Sequence, residues 1–518
     1  MLRRSILIIV ALIVIIAVVA GLFLFFTPRP SPPSQIVIGV TDKVTDLDPA
    51  NAYDFFTWEV LSNIMEGLYK YKPGTADLIP GIATSYEIRD NGYTWIFHLR
   101  DNVRFCDGTP VTAQNVVWSI KRVMYIKGDP SWLVTDFVDD VKALDNYTVE
   151  FKLKTPASYF LSLVATPPYF PVNPNYPFTN ISSDATWGGA GAYCIKDFKR
   201  DEYIVLEANP YYYGEKPKTQ TIIIKFYRDA SSLRLALERG EVDIAWRTLR
   251  PTDYVDLIKS GKYNVIEAPG GFIRYLVINV KMNPTNDVLV RKAIAAAINR
   301  TEIIEKVFMG TMQPLYSMVP NGMWSHIDSF KELYGVGPNL TLAREYLMRA
   351  GYNESNKLKI ELWYTPTHYG DTEADVAQLI KSQLEATGLI EVTIRSSEWA
   401  TYVSQLRNGQ MMVALLGWYP DYIDPDDYLT PFLKSDANKW TGTGYANPTV
   451  DRLLEEAQSI TDQSQRASIY EQVQRILADE APYIPLFQGY LIIVAQKNVE
   501  GILVGPPMLL TYSTIYKK

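Results

Sequence analysis

The sequence predicts an α/β protein with more than one lobe, preceded by a membrane-spanning helix. The chain has 518 residues, of which 47% are hydrophobic, and a single hydrophobic core stops growing near about 250–300 residues. Strand-like and helix-like segments alternate from residue 36 onwards, which is typical of α/β lobes. An uncharged run at residues 6–26 adds the predicted membrane helix.

The N-terminal run is long enough to cross a membrane. At about 1.5 Å per residue, it spans the roughly 30 Å hydrocarbon core of a bilayer. Arg3 and Arg4 precede it, so the positive-inside rule places the rest of the chain outside the cytoplasm. The run lacks a small-residue cleavage motif, which favours an uncleaved anchor over a cleaved signal peptide. Residues 27–35 are rich in proline and serine, and we expect them to form a spacer.

Periodicity predicts the main elements of the folded body. Predicted strands cover residues 35–40, 93–100, 147–154, 271–280, 359–366, 391–399, 412–418 and parts of 483–504. Predicted helices cover residues 113–124 (with Thr112 as N-cap), 231–239 (with Gly240 as C-cap), 286–310, 373–388, 449–460 and 463–480. The Pro-rich and Gly-rich region 166–191 is predicted to cross between lobes.

Composition and motifs exclude several functions. The net charge is −7 and no basic run occurs, so nucleic-acid binding is not indicated. Three scattered histidines without an H-E-x-x-H motif do not predict a zinc enzyme. The sequence also has no G-x-S-x-G elbow and no P-loop. A glycosidase remains open, because its two carboxylates need not be close in sequence.

Two cysteines, Cys106 and Cys194, leave a disulfide open. In an oxidising compartment they can pair. The alternative is two separate small buried residues, and spacing does not decide between them.

Several motifs resemble one family of transport proteins. In order, the chain carries GIATSYEIRDNGYTWIFHLRDNVRFCDGTPVTAQNVVWSIKR, GGAGAYCIKDFKRDEYIVLEANPYYYGEKPK, LALERGEVDIAW, NDVLVRKAIAAAINRTEIIEKVFMG and GYANPTVDRLLEEAQSITDQSQRASIYEQVQRILADEAPYIPLFQ. From about residue 36 nearly to its end, the chain is similar to the dipeptide/oligopeptide/nickel-type solute-binding proteins of ABC importers. It departs from the family at Cys106, where Ser or Asn is usual, and at Asn115, where Asp is usual.

The resemblance implies a type II periplasmic-binding-protein-like fold. Two α/β lobes would be joined by a hinge, with an extra subdomain inserted in lobe I. After the anchor (1–26) and the linker (27–35), which the N-terminal sequence itself predicts, the implied boundaries are 36–75 (lobe I), 76–185 (inserted subdomain), 186–272 (lobe I), 273–482 (lobe II) and 483–518 (lobe I). Ligand would be enclosed between the lobes by hinge closure.

The segment GWYPDYIDPDDY, residues 417–428, is the main candidate for ligand binding. In peptide-binding members of the resembled family, an Asp three residues after a Trp holds the α-ammonium of the peptide. Asp421 stands three residues after Trp418, so it matches. A carboxylate offers an ammonium a charge-assisted hydrogen bond. The other three aspartates of the segment are interpreted as turn, cap and solvated positions.

Further candidates come from nearby patterns. Aromatic planes can cover peptide side chains or sugar faces, and core packing is the alternative role for each ring. Arg274 is a candidate partner for a ligand carboxylate, with a surface ion pair as its alternative. Strand-end loops commonly face ligand in α/β lobes. The aromatic candidates are Trp418, Tyr419 and Trp399, and the candidates in a strand-end loop are Asp46 and Tyr53.

Taken together, the resemblance and these residues predict a membrane-anchored, extracytoplasmic binding protein rather than an enzyme. It would capture short peptides and deliver them to the permease and ATPase subunits of an ABC importer, as a monomer and without a cofactor. An oligosaccharide ligand is the first alternative, and nickel chelates follow. A surface hydrolase and a peptide-sensing receptor remain open.

Overall fold

Long apolar strands form the frame of the molecule. The computed structural model describes residues 34–518 except 45, 183–187, 248, 367 and 370–371. The strands are β1 Gln35–Val40, β2 Tyr69–Tyr71, β3 Leu78–Pro80, β4 Ala83–Arg89, β5 Thr94–Leu99, β6 Val138–Asp145, β7 Thr148–Leu153, β8 Tyr193–Lys199, β9 Tyr203–Ala208, β10 Thr221–Phe226, β11 Ile244–Ala245, β12 Asn264–Ile278, β13 Met312–Pro314, β14 Leu358–Tyr364, β15 Ile390–Ser396, β16 Val413–Trp418, β17 Tyr483–Ala495, β18 Val499–Glu500 and β19 Tyr516–Lys517.

The helices alternate with these strands along most of the chain, as the sequence predicts. They are α1 Phe55–Ile64, α2 Ala113–Ile126, α3 Trp132–Thr135, α4 Phe160–Val164, α5 Ala230–Glu238, α6 Pro251–Ser260, α7 Val288–Ala297, α8 Arg300–Phe308, α9 Ser329–Tyr334, α10 Leu340–Arg349, α11 Glu373–Glu385, α12 Trp399–Arg407, α13 Asp426–Leu433, α14 Pro448–Ser459 and α15 Gln463–Glu480. None of the described helices is long and apolar enough to cross a membrane. The predicted anchor at 6–26 lies outside the described residues.

One continuous sheet connects two hydrophobic cores. Its strand order is β15-β14-β16-β12-β17-β11-β1-β10-β9-β8, with β13 added on β17. The first core comprises buried residues between Ile36 and Trp246 together with Tyr422 and the segment 491–515, and the second comprises buried residues between Ile273 and Phe487. The antiparallel strands β12 and β17 pass through both, with a register shift between Pro269 and Ile273. The two cores are therefore joined through this strand pair.

A separate antiparallel sheet, in the order β4-β5-β7-β6, packs in the first core with α2 across it. Thr112 caps α2 as predicted, through a capping box with Asn115. Sheet and helix lie within the predicted inserted subdomain, 76–185. The exact domain boundaries stay a prediction.

Two predictions about the chain's course are wrong. Residues 286–310 form two helices rather than one, because Asn299 adopts an extended backbone and its side chain accepts a hydrogen bond from the Glu302 N–H at 3.1 Å. The described part of 166–191 does not cross between the cores. Its buried apolar residues on both sides of the undescribed segment 183–187 belong to the first core.

Candidate functional site

The candidate site is built around residues 417–428, which we call the aspartate loop. Its first two residues end β16, which pairs with β12 from Val413 to Trp418 and with β14 at Val413 and Ala414. Its last residues begin α13, where Pro425 stands at the N-cap. The loop is thus held at each end by a rigid element of the second core, and its middle meets residues of the first core.

Asp421 contacts the first core directly. The Tyr53 hydroxyl donates a hydrogen bond to Asp421 Oδ1 at 2.8 Å. Asp421 Oδ2 is buried and has no hydrogen-bond partner among the described residues. Burial raises the pKa of the Asp421 carboxyl to about 7, although the Tyr53 hydrogen bond acts in the lowering direction. The site therefore contains a carboxyl group with one oxygen free to accept a donor.

Asp427 lies beside Asp421 and is fully buried. Its Oδ2 accepts hydrogen bonds from the Asp421 backbone N–H and from Trp418 Nε1, each at 3.1 Å. Its Oδ1 is buried without a hydrogen-bond partner among the described residues. Burial, reinforced by the negative charge of Asp421, raises the pKa of the Asp427 carboxyl well above its usual range. Two carboxyl groups, one fully buried and one half-buried, thus lie close together in the aspartate loop.

The interpretation of Asp424, Asp426 and Asp427 as including solvated positions is wrong, because all three are buried. Asp424 forms a bidentate ion pair with Arg466, in which the two guanidinium nitrogens lie 2.6 and 3.0 Å from the two carboxylate oxygens. Asp426 accepts hydrogen bonds from the hydroxyls of Tyr422, Thr430 and Tyr470. A buried carboxylate needs such partners, and here most of them come from α13 and α15.

Further contacts hold the aspartate loop against the first core. The Ile423 N–H donates to the Tyr71 hydroxyl at 3.0 Å. The Tyr422 ring stacks on Tyr159, with 5.1 Å between centroids. Nearby, the Ser158 N–H donates to the Gln458 carbonyl at 2.9 Å. The loop is consequently a junction between the two cores.

The aromatic residues of the loop take different positions. The Tyr419 side chain is 42% exposed, and its ring lies between Phe55 of the first core and Phe272, at centroid distances of 5.6 and 5.4 Å. Trp418 packs inward on Phe432 and Trp440. Tyr419 is thus partly exposed at the junction of the two cores, whereas Trp418 packs inward and donates a hydrogen bond to Asp427.

A second cluster lies beside the start of the loop. Arg274 is buried, pairs with Glu373, and places its guanidinium 3.5 Å from the centroid of the Tyr369 ring. The Trp399 ring stacks on His368 at 3.5 Å. Burial, with the nearby positive charge of Arg274, lowers the pKa of His368 to about 4. The charge of Arg274 is matched by Glu373, so its contact with a ligand carboxylate stays an untested prediction.

The remaining candidates lie in the first core. Both oxygens of Asp46 are used within its own loop, by the Asp48 N–H at 3.0 Å and the Asn51 side-chain amide at 2.7 Å. Cys106 and Cys194 form a disulfide with a Cα–Cα distance of 5.9 Å. Within the described residues, no group of three or more His, Cys, Asp or Glu side chains is placed to hold a metal ion.

Sequence reasoning missed the part played by Asp427 and Phe55. A turn-rich aspartate run does not distinguish a buried carboxyl from a solvated one. Phe55 begins α1, and its contact with Tyr419 joins positions far apart in the chain. No local signal in the sequence identifies such a contact.

Comparison with known proteins decides the family. The profile of the bacterial extracellular solute-binding proteins, family 5, middle region, matches residues 77–440. The chain belongs to this family. This solute-binding protein is also 30% identical over 490 residues to the probable D,D-dipeptide-binding periplasmic protein DdpA of Escherichia coli (strain K12), with 92% of each chain covered.

Solved structures of similar proteins share the fold. One is the periplasmic binding protein DppA from Helicobacter pylori in complex with the peptide STSA, with a TM-score of 0.78, 25% identity, and 94% and 98% of the two chains covered. Another is NikA from Brucella suis in complex with Fe(III)-EDTA, with a TM-score of 0.83, 23% identity, and 94% and 100% covered. The solute-binding protein described here thus has the two-lobed α/β architecture of periplasmic binding proteins.

Proposed function

We propose that this protein is an extracytoplasmic peptide-binding protein that captures short peptides between its lobes and passes them to an ABC importer. The observation that carries this proposal is Asp421, a carboxyl at the junction of the lobes with one buried oxygen unpaired. The name of the D,D-dipeptide-binding relative and the peptide held by the Helicobacter pylori protein support the same ligand class.

An ammonium group fits Asp421 for physical reasons. A buried ionised carboxylate is costly unless it is paired. Within the described residues, no Lys or Arg forms an ion pair with Asp421. The α-ammonium of a peptide supplies both the missing charge and a donor for Oδ2. The exposed Tyr419 ring, two residues away, can then cover the first side chain of the peptide.

Hinge closure is the proposed mechanism of capture. The lobes are joined through β12 and β17, and the Tyr53–Asp421 and Phe55–Tyr419 contacts lie between them. A peptide that binds Asp421 while covered by the opposite lobe stabilises the closed state relative to the open one. We further propose that residues 6–26 anchor the protein and 27–35 hold its body near the importer, whose permease and ATPase subunits would carry out transport.

Binding experiments test the ligand class. We expect Met-Leu, Ala-Ala or D-Ala-D-Ala to raise the melting temperature of the purified protein by mass action. Maltotriose and a nickel chelate, which represent the alternative ligand classes, are tested in the same way. If maltotriose raises the melting temperature and none of the peptides does, the proposed ligand class is wrong.

A variant tests the assigned residue. Asp421→Asn keeps the size of the side chain and removes its charge. A hydrogen bond to a charged group contributes about 1.5–3 kcal/mol, so we expect peptide affinity to fall roughly 10- to 150-fold. Asp101→Asn, at an exposed aspartate, is the matched control and should leave affinity unchanged. Equal affinities for both variants would remove Asp421 from the site.

A further inference from the structure

The second carboxyl of the site, Asp427, has no role in the proposal above. It is fully buried and is linked to Asp421 through the Asp421 backbone N–H. Asp421 Oδ2 and Asp427 Oδ1 are buried, and neither has a hydrogen-bond partner among the described residues. The structure therefore holds two neighbouring carboxyl groups, each with an unused acceptor.

The groups around this pair do not neutralise it. The titratable side chains that interact with it are Tyr53 from the first lobe, Tyr71 from β2, Tyr422 from the loop itself, and Tyr428 and Asp426 from α13. Phenols are neutral near pH 7, and Asp426 is itself acidic.

Arg466, a cation near the aspartate loop, is already paired. Arg466 of α15 binds Asp424 through two nitrogens. Within the described part of the chain, neither Asp421 nor Asp427 forms an ion pair with a Lys, Arg or His. Two like charges in one enclosed site cannot both ionise cheaply. Burial raises the pKa of each carboxyl, to about 7 for Asp421, which agrees with a proton being retained.

We propose that the neighbouring carboxyls of Asp421 and Asp427 retain a proton when the cleft is empty, and that the pair releases this proton when the ammonium group of a peptide binds. The inference rests on the proposed peptide-binding function and assigns a new role to Asp427. Proton and charge balance in this step: the O–H bond of one carboxyl breaks, the proton goes to solvent, and the ammonium replaces its positive charge.

The sign of the pH dependence follows. An α-ammonium has a pKa of about 7.7–8.0, so at pH 6 the peptide is already charged and a released proton comes from the protein. Below about pH 7 the ligand must displace this proton. Apparent affinity should then fall as the pH is lowered, by up to tenfold per pH unit for one proton.

Isothermal titration calorimetry measures the number of protons released when the peptide binds. Met-Leu is titrated into the protein at pH 6.0 in two buffers with different protonation enthalpies, and the difference in heat gives the number of protons exchanged. We expect a release approaching one proton per peptide. N-acetyl-Met-Leu, which has no ammonium, should release none. Binding of Met-Leu without proton release, or equal release with the acetylated peptide, overturns the proposal.

The variant Asp427→Asn tests whether Asp427 contributes to the proton release. The amide oxygen can still accept from Trp418 and from the Asp421 N–H, while the loss of the carboxyl removes one of the two groups that can hold the proton. We expect proton release at pH 6.0 to fall towards zero and the loss of affinity between pH 8 and pH 6 to shrink. Asp101→Asn should retain the wild-type proton number. An unchanged proton number in Asp427→Asn contradicts the role of Asp427.

Peptide binding at pH 8 distinguishes a failure of the carboxyl-pair inference from a failure of the proposed peptide-binding function. If Met-Leu and the other peptides fail to bind at pH 8, where the pair is most easily ionised, the peptide-binding function itself fails and the inference falls with it. If peptides bind at pH 8 with no proton linkage at pH 6, only the carboxyl-pair inference fails.

Discussion

Tyr53→Phe is the substitution that most specifically perturbs the contact between the lobes. It removes the hydroxyl that donates to Asp421 Oδ1 at 2.8 Å and leaves the ring, which packs beside Trp58 at 5.8 Å. Tyr53 comes from the first lobe and Asp421 from the second. Under the proposed hinge closure, the substitution therefore removes a hydrogen bond that forms only when the lobes are together.

The size of the effect follows from the type of bond and its exposure. A hydrogen bond to a charged group contributes about 1.5–3 kcal/mol, and the Tyr53 side chain is 40% exposed, so water compensates part of the loss. We expect the binding free energy of Met-Leu to weaken by about 1–1.5 kcal/mol, which is a roughly five- to twelvefold higher Kd.

Titration calorimetry at pH 8 provides the measurement, and the melting temperature of the ligand-free protein shows whether the variant is folded. Tyr93→Phe makes the same chemical change on a tyrosine that is 45% exposed in the linker between β4 and β5, and it should bind like the wild type. A Kd for Tyr53→Phe that equals that of Tyr93→Phe would refute the role of this bond.

Three further predictions concern stability. Arg466→Met should lower the free energy of unfolding by about 3–5 kcal/mol in denaturant titrations, because Asp424 would be left buried without its cation; a loss below about 1 kcal/mol would contradict this. Cys106→Ala, which opens a disulfide between positions 88 residues apart, should cost about 3–5 kcal/mol by the same assay, and an unchanged midpoint would contradict it. The folded-state pKa of Asp421 is raised above its unfolded value, so its contribution to the stability of the ligand-free protein should diminish as the pH rises from about 4 to about 7. Melting temperatures across this range should show a smaller fall in Asp421→Asn, and identical pH profiles for variant and wild type would contradict it.

The sequence was sufficient for the family and for several of the main elements. β1, β5, β14 and β16 carry apolar runs or alternation that burial in a sheet requires, and the structure has strands there. The α7–α8 break was not predicted, because apolar periodicity continues across Asn299 while its side chain caps a new helix. The local pattern of apolar residues indicates which face of a helix or strand is buried, but it does not indicate where the backbone turns.

The candidate site was predicted less completely. The spacing from Trp418 to Asp421, with the family resemblance, singled out the carboxyl that faces Tyr53. It did not separate Asp427 from its acidic neighbours, since burial of each aspartate depends on partners supplied by distant elements. Arg466 is one such partner, 42 residues beyond Asp424.

The most direct test of Asp421 as the residue that binds the peptide ammonium group is a crystal structure of the protein with bound Met-Leu. We expect the α-ammonium nitrogen of the peptide to lie about 2.7–2.9 Å from a carboxylate oxygen of Asp421, in a cleft enclosed by both lobes. A peptide bound in the reverse direction, with its carboxylate near Asp421, or bound outside the cleft, would contradict this expectation.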